Sequence, residues 1–468
     1  MRFFKQIDLS KGTPWKVILL FSLPIIFGNV LAQVYSIADG YMVGRYISED
    51  AFAAISLSGN VMYLGTASLT GLAAGMSGFT AQLFGAKDTD GLRKSYATSL
   101  FLGVIITLAV SLLLLGFLNP LLQLAKLEVG TAVYQLSQLY LLIIFSGLIG
   151  TFLFNLYLNY LRAIGDSYVP LFLLIIYSFL NMGLDYLLIV VFPLGVLGAA
   201  ISYDVALLLS GLVGMVWVFL KYPRLRLHFR DFSFDKDFFL SHLKMGLPMA
   251  ALFLFIGFSV LIMQGGIDQF GNDAIKGYSS ASRLENLLCV FISSLGSALE
   301  AYCGVNYGAK QYQRLKKGLT QSVIMMLIDT VVKILITLLI MDKAAGFFLS
   351  SPTEETKAYC RMYIYWDLAT YLFLGLIYVF RNALLGIGKS WPPFFSGIAE
   401  FIGRSVMSLA IVIPLGAVAA FGSPGVAWVL SGSLLTLWGI ITIYRNKKFD
   451  HDEPRPEVLP QNKNPGIQ

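Results

Sequence analysis

Twelve apolar runs, each long enough to cross a bilayer and separated by short polar segments, constrain this chain more than any other feature. They lie near residues 15–39, 52–82, 95–117, 132–160, 169–192 and 195–220, and again near 244–267, 284–306, 319–341, 361–385, 392–416 and 422–445. A helix needs about 20 apolar residues to span the hydrocarbon core. Lipid offers the backbone no hydrogen bonds, so a spanning segment must satisfy its own, as a helix does. Composition agrees: 13% of the 468 residues are charged, against roughly 25% in a soluble domain, and such a chain cannot cover a water-facing surface. The 44 glycines suit helices that approach closely in lipid. The expected fold is therefore all-α and polytopic, with twelve transmembrane helices.

The Lys and Arg residues set the expected orientation. With the N-terminus inside, cytoplasmic segments hold 25 of them and the opposite side 7, while Lys333 and Arg404 lie within spans. The positive-inside rule then places both termini in the cytoplasm of a multi-pass cell-membrane protein. The +7 net charge reflects that topology and calls for no nucleic-acid partner. Lys5, Lys11 and Lys16 precede an apolar stretch that lacks a small-residue cleavage pattern, so an uncleaved first span is expected. Cys289, Cys303 and Cys360 have no CxxC spacing and imply no disulfide framework or metal site.

The chain also repeats itself. Gly85-Ala86-Lys87 recurs as Gly308-Ala309-Lys310, and Gly165 and Pro170 recur as Gly388 and Pro393, all at an offset of 223. Pro24 and Pro248 differ by 224, and Gly195/Gly198 are matched here with Gly422/Gly425. Six helices is an even number, so the two halves share one orientation and a pseudo-twofold axis runs along the membrane normal. The expected units are a six-helix lobe over 1–221, a cytoplasmic linker over 222–243, a second six-helix lobe over 244–445, and a disordered, proline-rich tail over 446–468.

Ionisable residues inside spans are costly and mark function. Asp39 falls late in the first run, and Asn181 and Asp185, four apart in the fifth, share one helix face. Ser202 and Tyr203 fall at similar depth in the sixth. Two carboxylates, an amide oxygen and a hydroxyl suit protons or a hard cation; the competing structural reading makes Asp39 a helix cap and Asp185 a packing residue. The second half offers Glu285, Glu300 and Asp367 as a further coupling site or as counter-charges for cationic substrates. Glu400 and Arg404 are four apart and expected to neutralise one another, as are Asp329 and Lys333. Among the aromatic residues, which include Tyr35, Tyr157, Tyr177, Tyr278, Phe255 and Tyr302, those near a cavity could stack on flat cationic substrates. His228, His242 and His451 lie in or beside cytoplasmic segments, and none is an evident intramembrane relay.

No nucleotide-driven motor is visible. The nearest phosphate-loop string, Gly388-Lys389-Ser390, has Ala383 where the first glycine belongs and no strand before it. An ion gradient must then supply the energy, about 2.3 kcal/mol per charge per 100 mV. No nucleophile or cofactor constellation points to an enzyme, and duplicated lobes favour alternating access over a channel.

The landmarks together resemble the multidrug and toxic compound extrusion family over roughly residues 14–445. They are Leu23-Pro24-Ile25-Ile26 with Asp39 and Val43-Gly44-Arg45; Gly85 to Asp88; Arg162 to Pro170; Asn181 with Leu184-Asp185; Gly195 to Ala200; Asn306 to Ala309; Arg381 to Leu384 leading to Gly388-Lys389; and Glu400 with Arg404. The resemblance implies two six-helix lobes around a central cavity and export of drugs and other small organic molecules in exchange for protons or sodium. It carries the ion-coupling role onto Asp39, Asn155, Asn181 and Asp185. Many members have threonine where this chain has Tyr203, whose bulk would crowd a sodium ion, so protons are favoured; sodium held by Asp39, Asn181 and Asp185 is the alternative. No acid occupies 248–263, where some members carry one, and Glu300 stands where a small polar residue is common. The broader superfamily makes a flippase for lipid-linked precursors the alternative function. No cofactor is implied, and a monomer is expected.

Overall fold

The computed structural model describes residues 7–453 except 126, 229–230, 232–234 and 350, and leaves aside the side chains of 37, 38, 41 and 224. Among the described residues there is no strand. The first lobe comprises α1 (Pro14–Tyr46), α2 (Glu49–Gly85), α3 (Thr89–Gly116), α4 (Ala132–Ser146 and Leu148–Ala163), α5 (Tyr168–Asp185, continued by Tyr186–Val191) and α6 (Val196–Lys221). The second comprises α7 (Lys236–Asp268), α8 (Asn272–Leu288 and Val290–Gly308), α9 (Tyr312–Ile340), α10 (Glu354–Gly386), α11 (Trp391–Val406, continued to Leu415) and α12 (Ala417–Gly439, continued to Tyr444).

Nine of these are long and apolar enough to span a bilayer, and α4 and α8 qualify as pairs bent by 49° and 45°. The remaining helix, α2, carries a face of Gly, Ala, Ser and Thr. That face meets other helices instead of lipid, above all α7 of the second lobe.

The duplication is written in the backbone. Gly165 and Gly388 have φ of 82° and 81°, and the non-glycine pair Lys87 and Lys310 has 60° and 56°. Each residue follows a helix end closed in the same way. Asp88 N–H reaches Leu83 O and Gln311 N–H reaches Asn306 O, while Asp166 N–H reaches Leu161 O and Lys389 N–H reaches Leu384 O. Both α5 and α11 widen into a π turn near their ends, at Tyr186–Val191 and Met407–Ile411. One expected match needs correction. Gly195 (φ 59°, ψ −130°) pairs with Gly416 (φ 58°, ψ −140°), the residue that starts α12, and not with Gly422, which lies inside that helix.

Two expected boundaries also shift. Residues 236–243, expected in the linker, are the first turns of α7, started by Asp235 capping the backbone N–H groups of Asp237 and Phe238. The remaining connection is tied down where Arg93 Nε meets Asp231 Oδ1 at 2.8 Å and the Tyr222 hydroxyl donates to Asp166 Oδ2 at 2.8 Å. Of the tail expected to be disordered, residues 446–453 fold back onto the second lobe. Lys316 pairs with Asp450 at 2.7 Å and Lys310 with Glu453 at 2.8 Å. Residues 454–468 lie outside the described residues.

The lobes meet tightly at the end of the bundle that carries the described chain ends. A Cβ added at Gly85 would stand 2.0 Å from Val305 O, and one at Gly308 only 1.8 Å from Gln82 O. Gln82 and Val305 are themselves repeat mates. The N-terminal segment straps this end: Ile7 N–H donates to Gly165 O, and Arg314 donates to the carbonyls of Leu9, Lys11 and Gly12. Toward the other end, α1 packs on Val290–Gly308 of α8 but not to a similar extent on Asn272–Leu288, so those helices diverge.

Candidate functional site

Helix α1 runs two turns beyond Asp39, so this aspartate caps nothing; it faces α5 from within the lobe. Its carboxyl lies within hydrogen-bonding range of that of Asp185. The Ser202 hydroxyl donates to Asp185 Oδ1, while Asp185 Oδ2 is buried and receives no donor. Two carboxylates cannot donate to each other, so the contact requires a shared proton or a cation between them. Asn181, buried one turn before Asp185, lies on the same helix face.

Aromatic rings connect this pair to a cavity of about 300 Å³. Tyr35, one turn before Asp39, packs edge-on against Tyr177 at 5.7 Å, and Tyr177 meets Tyr203 at 6.5 Å. Tyr177 and Tyr203 both line the cavity, together with Tyr63, Thr66, Thr70 and Phe253 of the second lobe. Asn155 lines it too, its Nδ2 donating to Thr151 O of its own helix at 2.9 Å; among the described residues no hydrogen bond joins it to the acid pair. Asn155 thus belongs with the cavity wall.

Asp204, which follows Tyr203 in α6, is not among the sequence-predicted site residues. It is buried, Oδ1 has no donor, and its carboxyl packs where α4 bends at Gly147; the Tyr140 phenol lies in the combined field of Asp39, Asp185 and Asp204. The signal was Gly147 itself, a small residue breaking α4 opposite an intramembrane acid.

In the second lobe the three suspected acids separate. Glu285 Oε2 accepts from the Tyr363 hydroxyl at 2.6 Å, and Asp367, one turn after Tyr363, lies in the field of Glu285. Glu300 stands apart from them. It accepts from the Ser77 hydroxyl at 2.9 Å, across the lobe interface and at the repeat-equivalent position of α2. Lys333 and Asp329 pair at 2.8 Å as expected. Glu400 does not pair mainly with Arg404: Arg381 Nη2 meets Glu400 Oε1 at 2.5 Å, whereas Arg404 Nη2 is 3.7 Å from Oε2. The Ser431 hydroxyl also donates to Glu400, and Arg404 Nη1 donates to Ser259 Oγ at 2.9 Å. Arg381, counted above among cytoplasmic charges, is inside the bundle. His242 is buried in α7, bonded to Ser95 Oγ and Phe238 O. No group of three or more His, Cys, Asp or Glu residues able to hold a metal occurs among the described residues.

The MatE family model matches residues 24–187 and 248–412, one match in each half. Among curated proteins, the chain is 26% identical to a probable multidrug resistance protein, YoeA, of Bacillus subtilis (strain 168), covering 83% of this chain and 84% of that one. It is 25% identical to the multidrug export protein MepA of Staphylococcus aureus (strain N315), covering 93% and 94%. Among solved structures, an outward-facing multidrug resistance MATE family transporter of the MOP superfamily matches with a TM-score of 0.85 at 21% identity, covering 95% of this chain and 99% of that one. A MATE structure in complex with MaL6 matches at 0.84 and 21%, covering 94% and 99%. With one family match per six-helix lobe and a fold shared along nearly the whole length, the chain belongs to the MatE family, the multidrug and toxic compound extrusion transporters.

Proposed function

We propose that this protein is a secondary antiporter of the cell membrane that exports small organic compounds in exchange for protons or sodium ions, with both termini in the cytoplasm. The observation that carries the coupling is the contact between the carboxyls of Asp39 and Asp185, beside the Ser202 hydroxyl. A pair of acids on different helices, held together out of water, must take up positive charge to stay together; without it, like charges in a low dielectric repel. Loading draws α1 toward α5, and Tyr35, Tyr177 and Tyr203 transmit that movement to the cavity wall. Unloading separates the acids and lets the cavity accept substrate. The direct carboxyl contact favours a proton; a sodium ion held by Asp39, Asn181 and Asp185 would do the same work.

In this orientation the sealed end faces the cytoplasm and the divergence of α1 from α8 opens outward. Export then requires the seal around Gly85 and Gly308 to part so that substrate can enter from inside. Protein reconstituted into vesicles with an imposed proton or sodium gradient tests the reading. Wild type should export a fluorescent organic compound under at least one gradient, while Asp39→Asn and Asp185→Asn should lose gradient-driven export at unchanged melting temperature. Wild-type export by both variants would place coupling elsewhere, with Glu285 and Asp367 the next candidates.

A further inference from the structure

Superposing the repeats in sequence register shows that the acid site of the first lobe has a symmetry mate of opposite character. The offset of 223 fixed by Gly165/Gly388 and Pro170/Pro393 pairs Asn181 with Arg404; it falls to 221 at the π turns, leaving Ser408 or Val406, neither of them acidic, opposite Asp185. The offset of 224 fixed by Pro24/Pro248 pairs Tyr35 with Ser259 and Asp39 with Met263. Both carboxylates are therefore absent from the second-lobe position. A guanidinium stands there instead, bonded to Ser259 on the helix equivalent to α1.

Around Glu400 the guanidinium charge exceeds the carboxylate charge, while beyond it Glu285, Asp367 and Asp329 outnumber Lys333. Glu400 is one carboxylate between two arginines, and the nearer, Arg381, engages it at 2.5 Å. Arg404, with its side chain 8% exposed, lies 3.7 Å from the other oxygen. Nε of both arginines is buried without a hydrogen-bond partner. The further charges in reach of Arg404 are those of Glu285, itself bonded to Tyr363 and beside Asp367, with Lys333 also in its field. Lys333 is already matched by Asp329. Once protons or a cation neutralise Glu285 and Asp367, the Arg381–Glu400–Arg404 cluster keeps one uncompensated positive charge inside the membrane, a state that calls for an anion. Tyr63, which lines the cavity, lies in the field of Arg404, Glu400 and Arg381, so the cluster acts electrostatically on that cavity wall.

We propose that Arg404, beside Glu400 and Arg381, is a binding site for the anionic group, a carboxylate, sulfonate or phosphate, of an aromatic organic substrate. This deepens the reading of the chain as an exporter of organic compounds and rests on it for the word substrate, but anion binding itself needs no gradient. Guanidinium suits such groups because its planar fork offers paired donors, and the ring of Tyr63 offers a face for the aromatic body.

The test uses the full-length protein in phosphatidylcholine nanodiscs and three probes of one shape: 2-naphthoate, 2-naphthamide and trimethyl-2-naphthylammonium. Calorimetry should find naphthoate binding at least tenfold more tightly than the amide, with that preference lost in Arg404→Gln and partly kept in Arg404→Lys. Arg404→Gln should fold, because Arg381 still holds Glu400, and its melting temperature is measured alongside. If it fails to fold, Ser259→Ala, which removes the bond orienting Arg404, should weaken naphthoate selectively. Equal binding of the three probes by wild type, or an anion preference untouched by a folded Arg404 variant, overturns the proposal. Displacement of naphthoate by short-chain phosphatidylglycerol would keep the anion site and assign it to a lipid headgroup; no displacement assigns it to a soluble compound. Both results are independent of whether Asp39 and Asp185 couple transport.

Discussion

Substituting Gly308 by alanine tests the lobe seal directly. The added methyl would stand 1.8 Å from the carbonyl oxygen of Gln82, about 1.6 Å short of the 3.4 Å at which ordinary van der Waals contact begins. The opposing atom is helix backbone and cannot rotate aside, so α8 and α2 must separate by a comparable distance. Overpacking of this kind costs about 1–3 kcal/mol, and the cost falls only on the sealed arrangement. An equilibrium between sealed and parted lobes therefore shifts about 5- to 150-fold toward the parted one. Cys303, five residues before Gly308 on α8, reports the change without any engineered probe: it is fully buried and shares a packed cluster with Ala81 of α2 across the seam. Labelling by a membrane-permeant maleimide, located by mass spectrometry, should accelerate roughly tenfold or more in Gly308→Ala, within the range that overpacking cost sets. It should accelerate further when Gly85→Ala is added, and stay at the wild-type rate in Gly116→Ala, whose methyl would meet nothing within 4 Å. Equal Cys303 labelling in Gly308→Ala and Gly116→Ala, with both proteins folded, would refute the reasoning.

Breaking a buried ion pair costs about 3–5 kcal/mol, so Arg381→Met should lower the melting temperature clearly and Arg404→Met by less, given their distances of 2.5 Å and 3.7 Å from Glu400. Adding Glu400→Leu to Arg381→Met should recover part of the loss, and thermal melts of the single and double variants decide. At the interface, Ser77→Ala removes a hydrogen bond to a buried carboxyl, worth about 1.5–3 kcal/mol. It should make Cys303 more reactive to the same maleimide, because Ser77 and Glu300 close the same seam. Outside the membrane, the bonds from Lys316 and Lys310 hold the Asp450 and Glu453 carboxyls below their ordinary values. Lowered carboxyl values mean that docking of residues 450–453 is complete at neutral pH and is lost as pH falls through those lowered values. Hydrogen-exchange protection over 447–453, taken relative to the intrinsic exchange rate at each pH, should be high at pH 7 and low near pH 3, whereas equal protection at the two pH values would show that the pairs contribute nothing.

Asp39, Asn181, Asp185 and Ser202 were legible as a group because polar side chains stand out in apolar runs; that Asp39 meets Asp185 instead of capping its helix needed the fold. The residues that escaped are those whose role depends on a distant partner. Spacing along a helix shows that Glu400 can reach Arg404, but not that Arg381, 19 residues away on another helix, reaches it first. Arg381 was further disguised by falling at the edge of an apolar run, where it counted as a loop charge. Glu300 could have been placed, since its partner Ser77 lies at the same 223 offset that relates the two halves; an acid on a symmetry-equivalent interface helix is an acid near the axis. Tyr177 belongs to the series Tyr177, Asn181, Asp185 on one face of α5, yet an aromatic in a membrane protein has too many lipid-facing reasons to exist for spacing to single it out.

The two halves keep their backbone signature far better than their side chains. Paired glycines share φ to within a degree or two, and the π turns recur at the ends of α5 and α11, while the side chains at Asn181 and Arg404, or Asp39 and Met263, have nothing in common. That division has a physical cause. Backbone geometry sets how the lobes close against one another, as the reciprocal contacts of Gly85 with Val305 and Gly308 with Gln82 show, and a change in one half is clashed against by the other. Side chains in the lobe interiors meet no such reciprocal demand. Two lobes with identical acid sites would load cations together and offer a substrate only like charge. In the proposed exchanger, acids in one lobe and an arginine at the mate of Asn181 let the halves respond to different ligands while still moving as a matched pair.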